Sequence, residues 1–203
     1  DLVRSRGLGD VYKRQAGTAT ITYTVTTNGC TSNAQATVNV TALPTLAAIG
    51  GTTNACIGSS TILTNTTSGG VWTSSNAAVA TVNSITGNVT GVSAGTATIT
   101  YTYTNANGCT SAVTTTVTIN ALPTVAAITG TTSVCAGSTT TLESTTTGGV
   151  WSSANTATAT INASGVVTGV AAGSTTMTYT VTNGNGCTSS VTTTVTVLSL
   201  IHI

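Results

Sequence analysis

A 79-residue internal repeat constrains this chain more than any other feature. "GGVWTSSNAAVATVN" from Gly69 to Asn83 returns as "GGVWSSANTATATIN" from Gly148 to Asn162. Pro44 and Pro123 are 79 residues apart, as are Cys56 and Cys135, Trp72 and Trp151, and Cys30 and Cys109. Cys109 to Cys187 is 78, and the lost residue can be placed. "NSITGNVTGV" from Asn83 has become "NASGVVTGV" from Asn162, a turn tip where length changes are tolerated. The period predicts the last strands of one unit over 16–42, a full unit over 43–121 and a second over 122–197. Each such unit packs chiefly against its neighbours in the chain.

Charge is concentrated at the N-terminal end. Asp1, Arg4, Arg6, Asp10, Lys13 and Arg14 all fall within the first fourteen residues, and from Ala16 onward the only formal charge is Glu143. Residues 1–15 have no counterpart in the later repeats, and "LSLIHI" breaks the Thr/Val alternation just as abruptly. Residues 1–15 and 198–203 are therefore read as non-native or disordered tails and left out of the fold. The formal net charge of +1 belongs mainly to them, so the body has no basic cluster for nucleic acid. No apolar run approaches the roughly 18 residues of a membrane span. The chain opens part-way through a repeat, which reads as an internal fragment.

Threonine, about a quarter of the chain, is far above ordinary usage, and its branched Cβ suits a pleated surface. The last copy divides into runs over 125–128, 139–144, 150–153, 157–161, 166–170, 175–182 and 188–197. Gly- and Asn-rich breaks separate them. Seven short strands of this spacing predict an all-β fold of tandem immunoglobulin-like β-sandwiches. Alternation assigns the faces. Met177, Tyr179 and Val181 share one side of the sixth run, as Ile99, Tyr101 and Tyr103 do one unit earlier and Ile21, Tyr23 and Val25 in the truncated copy. Without Phe, the expected core is Val, Ile, Ala, Leu and Tyr around one tryptophan per unit: Trp72 with Tyr101, and Trp151 with Tyr179.

These residues resemble the bacterial Ig-like group 2 repeat, whose pattern runs Trp-Ser-Ser, a "VATV" strand, Gly-x-Val-Thr-Gly, then Ala-Gly-Thr and an alternating strand. Trp151, Ser152, Ser153, Gly165, Val167, Gly169, Gly173 and Tyr179 fit it. So do Trp72, Ser74, Ser75, Gly87, Val89, Gly91, Gly95 and Tyr101. The resemblance covers nearly all of residues 16–197. It implies an extracellular or cell-surface β-sandwich module, repeated as adhesin stalk in bacterial surface and secreted proteins.

Comparison between copies separates structure from site, because a structural residue recurs while a grafted site need not. The two tryptophans recur, which favours core packing over a sugar-stacking platform. Glu143 is replaced by Thr64 in the other copy and has no second carboxylate for acid–base work, so it reads as a solvent-facing strand residue. His202, the only histidine, lies in the tail, so no Ser/His/Asp set is available. One body carboxylate cannot build a calcium loop, and single, scattered cysteines cannot build a zinc site. Triplets of glycosylation type at Asn39, Asn65, Asn88 and Asn162 are expected by chance in so Thr-rich a chain. The chain is thus expected to be non-catalytic, without cofactor or metal.

The favoured function is a structural stalk or spacer whose partners are the neighbouring repeats. Any host, surface or glycan ligand would be met by other parts of the protein, with no nucleic acid bound and no membrane inserted. The alternative is a module that binds protein or glycan directly through its turn loops. A more distant alternative is an ice-binding surface of threonine rows, which the twist of sandwich sheets disfavours. An extracellular setting permits disulfides. Pairing within units would give Cys56–Cys109 and Cys135–Cys187, each closing about 50 residues and worth about 4 kcal/mol on the chain-entropy model, with Cys30 unpaired. Strand order argues for the alternative, Cys56–Cys187, which joins the bottom of one unit to the top of the next and leaves Cys109 and Cys135 free. The within-unit pairs are preferred here because bridges inside a domain are commoner.

Overall fold

A computed structural model describes residues 16–199. The N-terminal tail and His202 lie outside the described residues. All regular structure among the described residues is β. A hairpin of β1 (Gly17–Thr27) and β2 (Cys30–Val40) comes first, followed by two copies of one eight-strand arrangement.

The first copy contains β3 (Gly50–Gly51), β4 (Asn54–Cys56), β5 (Ser60–Thr64), β6 (Val71–Ser74), β7 (Ala80–Val82), β8 (Asn88–Gly91), β9 (Gly95–Thr104) and β10 (Thr110–Asn120). The second contains β11 (Thr129–Gly130), β12 (Ser133–Cys135), β13 (Thr139–Glu143), β14 (Val150–Ser153), β15 (Ala159–Ile161), β16 (Val166–Gly169), β17 (Gly173–Thr182) and β18 (Thr188–Leu198). Each copy forms two four-stranded sheets, ordered β3-β5-β8-β7 and β4-β10-β9-β6, then β11-β13-β16-β15 and β12-β18-β17-β14. Pairing is antiparallel except where β4 runs parallel to β10 and β12 to β18.

The core lies between the sheets, as period-two patterning demands. Leu63, Ala80 and Val89 from one sheet meet Trp72, Ala97, Ile99, Tyr101, Val117 and Ile119 from the other. In the second copy Leu142, Ala159 and Val167 meet Val134, Met177, Val195 and Val197. The fold is the tandem immunoglobulin-like sandwich.

Three local expectations need correction. No strand forms over 125–128. The entry strand is split instead into β11, which pairs with β13, and β12, which crosses to the other sheet to pair with β18. Gly130 makes the crossing, at φ +117° and with the Thr141 carbonyl oxygen 2.3 Å from where a Cβ would stand. The preceding Ala126 is held by side chains: Thr146 Oγ1 accepts its N–H at 2.9 Å and Ser144 Oγ donates to its carbonyl at 3.2 Å. The body also reaches past 197, because Leu198 lies opposite Cys135 as the last residue of β18. Finally, Ile21, Tyr23 and Val25 alternate as expected but are not buried; Tyr23 is 63% exposed, because no second sheet covers this hairpin among the described residues.

Candidate functional site

The double glycine before each tryptophan serves the core. Trp72 stands opposite Tyr101 in the β6–β9 ladder and Trp151 opposite Tyr179 in the β14–β17 ladder. Both ring pairs have centroids 4.6 Å apart, tilted by 47° and 43°. Each tyrosine hydroxyl then ties down the loop leading to its tryptophan. Tyr179 donates to the Thr146 carbonyl at 2.8 Å and accepts the Gly149 N–H at 2.8 Å. Tyr101 donates to the Thr67 carbonyl and accepts the Gly70 N–H at 2.8 Å. A Cβ on Gly70 or Gly149 would fall 2.3 Å from the ring carbon bearing that hydroxyl, so the second glycine of "GGVW" is required by close approach. Trp72, Tyr101 and Tyr179 are buried, whereas Trp151 is only half-buried against its core.

No reactive constellation accompanies these rings. Glu143, the one charged side chain from residue 16 onward, is exposed on β13. Among the described residues no three His, Cys, Asp or Glu side chains gather as a metal site. A hollow of about 240 Å³ lies beside Trp72 and Tyr101, rimmed by Thr64, Asn65, Ile85 and Thr86. It presents neutral groups only.

The most built feature is the junction between the sandwiches, which sequence reasoning reached only as its second choice. Cys56 is bonded to Cys187 with Cα atoms 5.6 Å apart, and Cys30, Cys109 and Cys135 are free thiols. The preferred pairs Cys56–Cys109 and Cys135–Cys187 are not formed, and geometry gives the reason. Cys135 lies opposite Leu198, eleven residues along the strand from Cys187. At ~3.3 Å per residue they stand about 36 Å apart, against the roughly 7 Å a disulfide permits. Cys56 lies opposite Asn120, equally far from Cys109.

Asn183 organises the turn that carries Cys187. Its Oδ1 accepts the N–H groups of Asn185 and Cys187 at 3.0 Å each, while its Nδ2 donates to the Ala121 carbonyl at 2.9 Å. One unit earlier Asn105 repeats this, with Oδ1 accepting from Asn107 and Cys109 and Nδ2 donating to the Ala42 carbonyl at 3.4 Å. One asparagine thus shapes the hairpin turn and clamps it to the end of the preceding copy. Its repetition in "TNANGC" and "TNGNGC" was the available sequence signal.

Residues 34–117 match the family model of the bacterial Ig-like domain (group 2), from inside β2 to inside β10. Comparison with curated proteins gives no match. Among solved structures, the chain is similar to domains 4 and 5 of the S-layer protein SbsC, at 23% identity and TM-score 0.31, covering 75% of this chain and 98% of that one. It spans 35% of the six-domain structure of the same protein. It is also similar to the C-terminal 282-residue fragment of intimin, solved with the intimin-binding domain of its translocated receptor. There the identity is 17% and the TM-score 0.38, covering 75% of this chain and 64% of that one. A calcium-stabilised adhesin described as helping an Antarctic bacterium bind ice matches at 15% identity and TM-score 0.37, covering 90% and 57%.

Proposed function

We propose that the chain, whose residues 34–117 match the family model of the bacterial Ig-like domain (group 2) and whose following copy repeats their sequence, is a non-catalytic spacer, a stretch of stalk in a bacterial extracellular or cell-surface protein. Its units are 43–121 and 122–197 extended through Leu198, with 16–42 contributing the last hairpin of another copy. The observation that carries this reading is the cross-junction bond Cys56–Cys187, reinforced by the Asn183 clamp. A covalent link between sandwiches restricts bending, which suits a part that must hold distance. The linker supports the same reading, since "ALPTV" supplies few residues and proline stiffens it. The partners are then neighbouring repeats, and the oxidising setting is one where disulfides persist. Among the described residues the turn loops offer no charged or exposed aromatic anchor of the kind that dominates binding surfaces.

Small-angle scattering of the purified chain, oxidised and reduced, tests the proposal. The oxidised chain is expected to hold one inter-sandwich spacing and to become more variable on reduction. Identical curves, or saturable binding to a glycan array, would overturn it in favour of a directly binding module.

A further inference from the structure

The bond Cys56–Cys187 shortens the covalent route through the two sandwiches. Ala42 lies at the hairpin end of the first sandwich, where the Asn105 side chain donates to its carbonyl. From there the chain runs the length of that sandwich, because Cys56 lies opposite Asn120, the last residue of β10. Fourteen residues make this run. They reach at most ~50 Å when fully extended, and the strand from Cys109 to Asn120 already covers about 36 Å. Cys187 stands at the near end of the second sandwich, its sulfur 4.0 Å from the Asn120 carbonyl oxygen, and β18 then runs to Leu198 at the far end. The route Ala42–Cys56–Cys187–Leu198 is thus nearly taut as folded. Residues 57–186 form a closed loop beside it that holds β5 to β17.

Without the bond, tension takes another route. It enters the first sandwich on β4 and leaves on β10, which run parallel, so the pull slides one strand along the other. Three facing residue pairs resist the slide, flanked by the Thr118 N–H donating to the Thr53 carbonyl at 2.8 Å and the Ile57 N–H donating to the Asn120 carbonyl at 3.1 Å. The second sandwich repeats this between β12 and β18, with Thr196 donating to Thr132 and Ala136 to Leu198. We propose that Cys56–Cys187 carries tension past both sandwiches, so that residues 57–186 bear none until the bond is reduced. The proposal rests on the spacer reading, since only a part held under pull uses such a bypass. Dithiothreitol breaks the S–S bond, leaves thiols at Cys56 and Cys187 and becomes its own cyclic disulfide, two electrons passing from its sulfurs to the protein's. The 131-residue separation then joins the route, roughly 450 Å of chain when unfolded.

The full chain, its Cys56–Cys187 bond verified by non-reducing peptide mapping, is held in optical tweezers by thiol-free handles at both ends. The constant force is one that unfolds the reduced chain. The oxidised chain is expected to show the opening of the β1–β2 hairpin and no step above about 100 Å. Dithiothreitol added at the same force should release roughly 450 Å more, in two steps separated by waits, one for each sandwich. Cys56→Ser and Cys187→Ser should give those two steps without dithiothreitol, and Cys135→Ser should behave as the parent. Sandwich-sized steps in the oxidised chain, or no added length on reduction, overturn the proposal. So does a single jump at the moment of bond cleavage, because the sandwiches would then have unfolded while bypassed. None of these outcomes touches the spacer reading, which the scattering of the unloaded chain tests.

Discussion

The indole of Trp72 and the ring of Tyr101 lie 4.6 Å apart between paired strands, and the hydroxyl of that tyrosine fastens the loop from which the tryptophan emerges. Ring packing and loop closure are therefore one unit of structure, repeated at Trp151 and Tyr179.

Trp72→Ala removes a side chain that is 4% exposed and is expected to cost about 3–5 kcal/mol, enough to unfold the first sandwich near room temperature. Trp151→Ala should cost less, because Trp151 is only half-buried. Denaturant titration of both variants checks the order, and equal losses would contradict the difference in burial.

Tyr179→Phe keeps the ring and deletes the hydroxyl. The Gly149 N–H and Thr146 carbonyl then lose a common partner, at an expected cost of about 1–3 kcal/mol. Hydrogen exchange should quicken at Gly149, with little change in the β17–β18 ladder. Uniform quickening would mean that the hydroxyl supports the whole sandwich rather than the loop.

Gly149→Ala places a Cβ within 2.3 Å of the Tyr179 ring. The ring must shift, and an overpacking cost of about 1–3 kcal/mol is expected. Gly184→Ala, where nothing lies within 4 Å, is the control and should melt close to the parent.

Reduction of Cys56–Cys187 should lower the melting temperature and separate the unfolding of the two sandwiches. The bond spans 131 residues, worth about 5 kcal/mol on the chain-entropy model when both unfold together. Calorimetry with and without dithiothreitol reads this directly, and Cys56→Ser should reproduce the reduced trace.

Chelator or millimolar calcium should leave the melting temperature unchanged. A calcium loop needs several carboxylates, and Glu143 is the only one between Ala16 and Ser199. A shift of several degrees with calcium would require a site made of neutral oxygens.

Much of the sandwich was written locally. Alternation put Met177 and Tyr179 inside and their threonine neighbours outside, because successive side chains of a strand face opposite ways whatever surrounds it. The repeat likewise identified Trp72 and its loop without reference to any contact. Burial itself was not local. Tyr23 carries the same alternation as Tyr101 and is exposed, since alternation selects a face and only an opposing sheet covers it.

The split of the entry strand and the cysteine pairing also came only from the tertiary arrangement. Gly130 marks a break in the sequence, but nothing near it says that the chain crosses to run parallel with β18. Once it does, Cys135 and Cys187 lie at opposite ends of one strand, and Cys187 finds Cys56 of the preceding sandwich instead. Alternation in sequence decides which way the side chains of a strand face, through torsion angles over a few residues. Which strand ends meet is set by packing between residues more than a hundred positions apart.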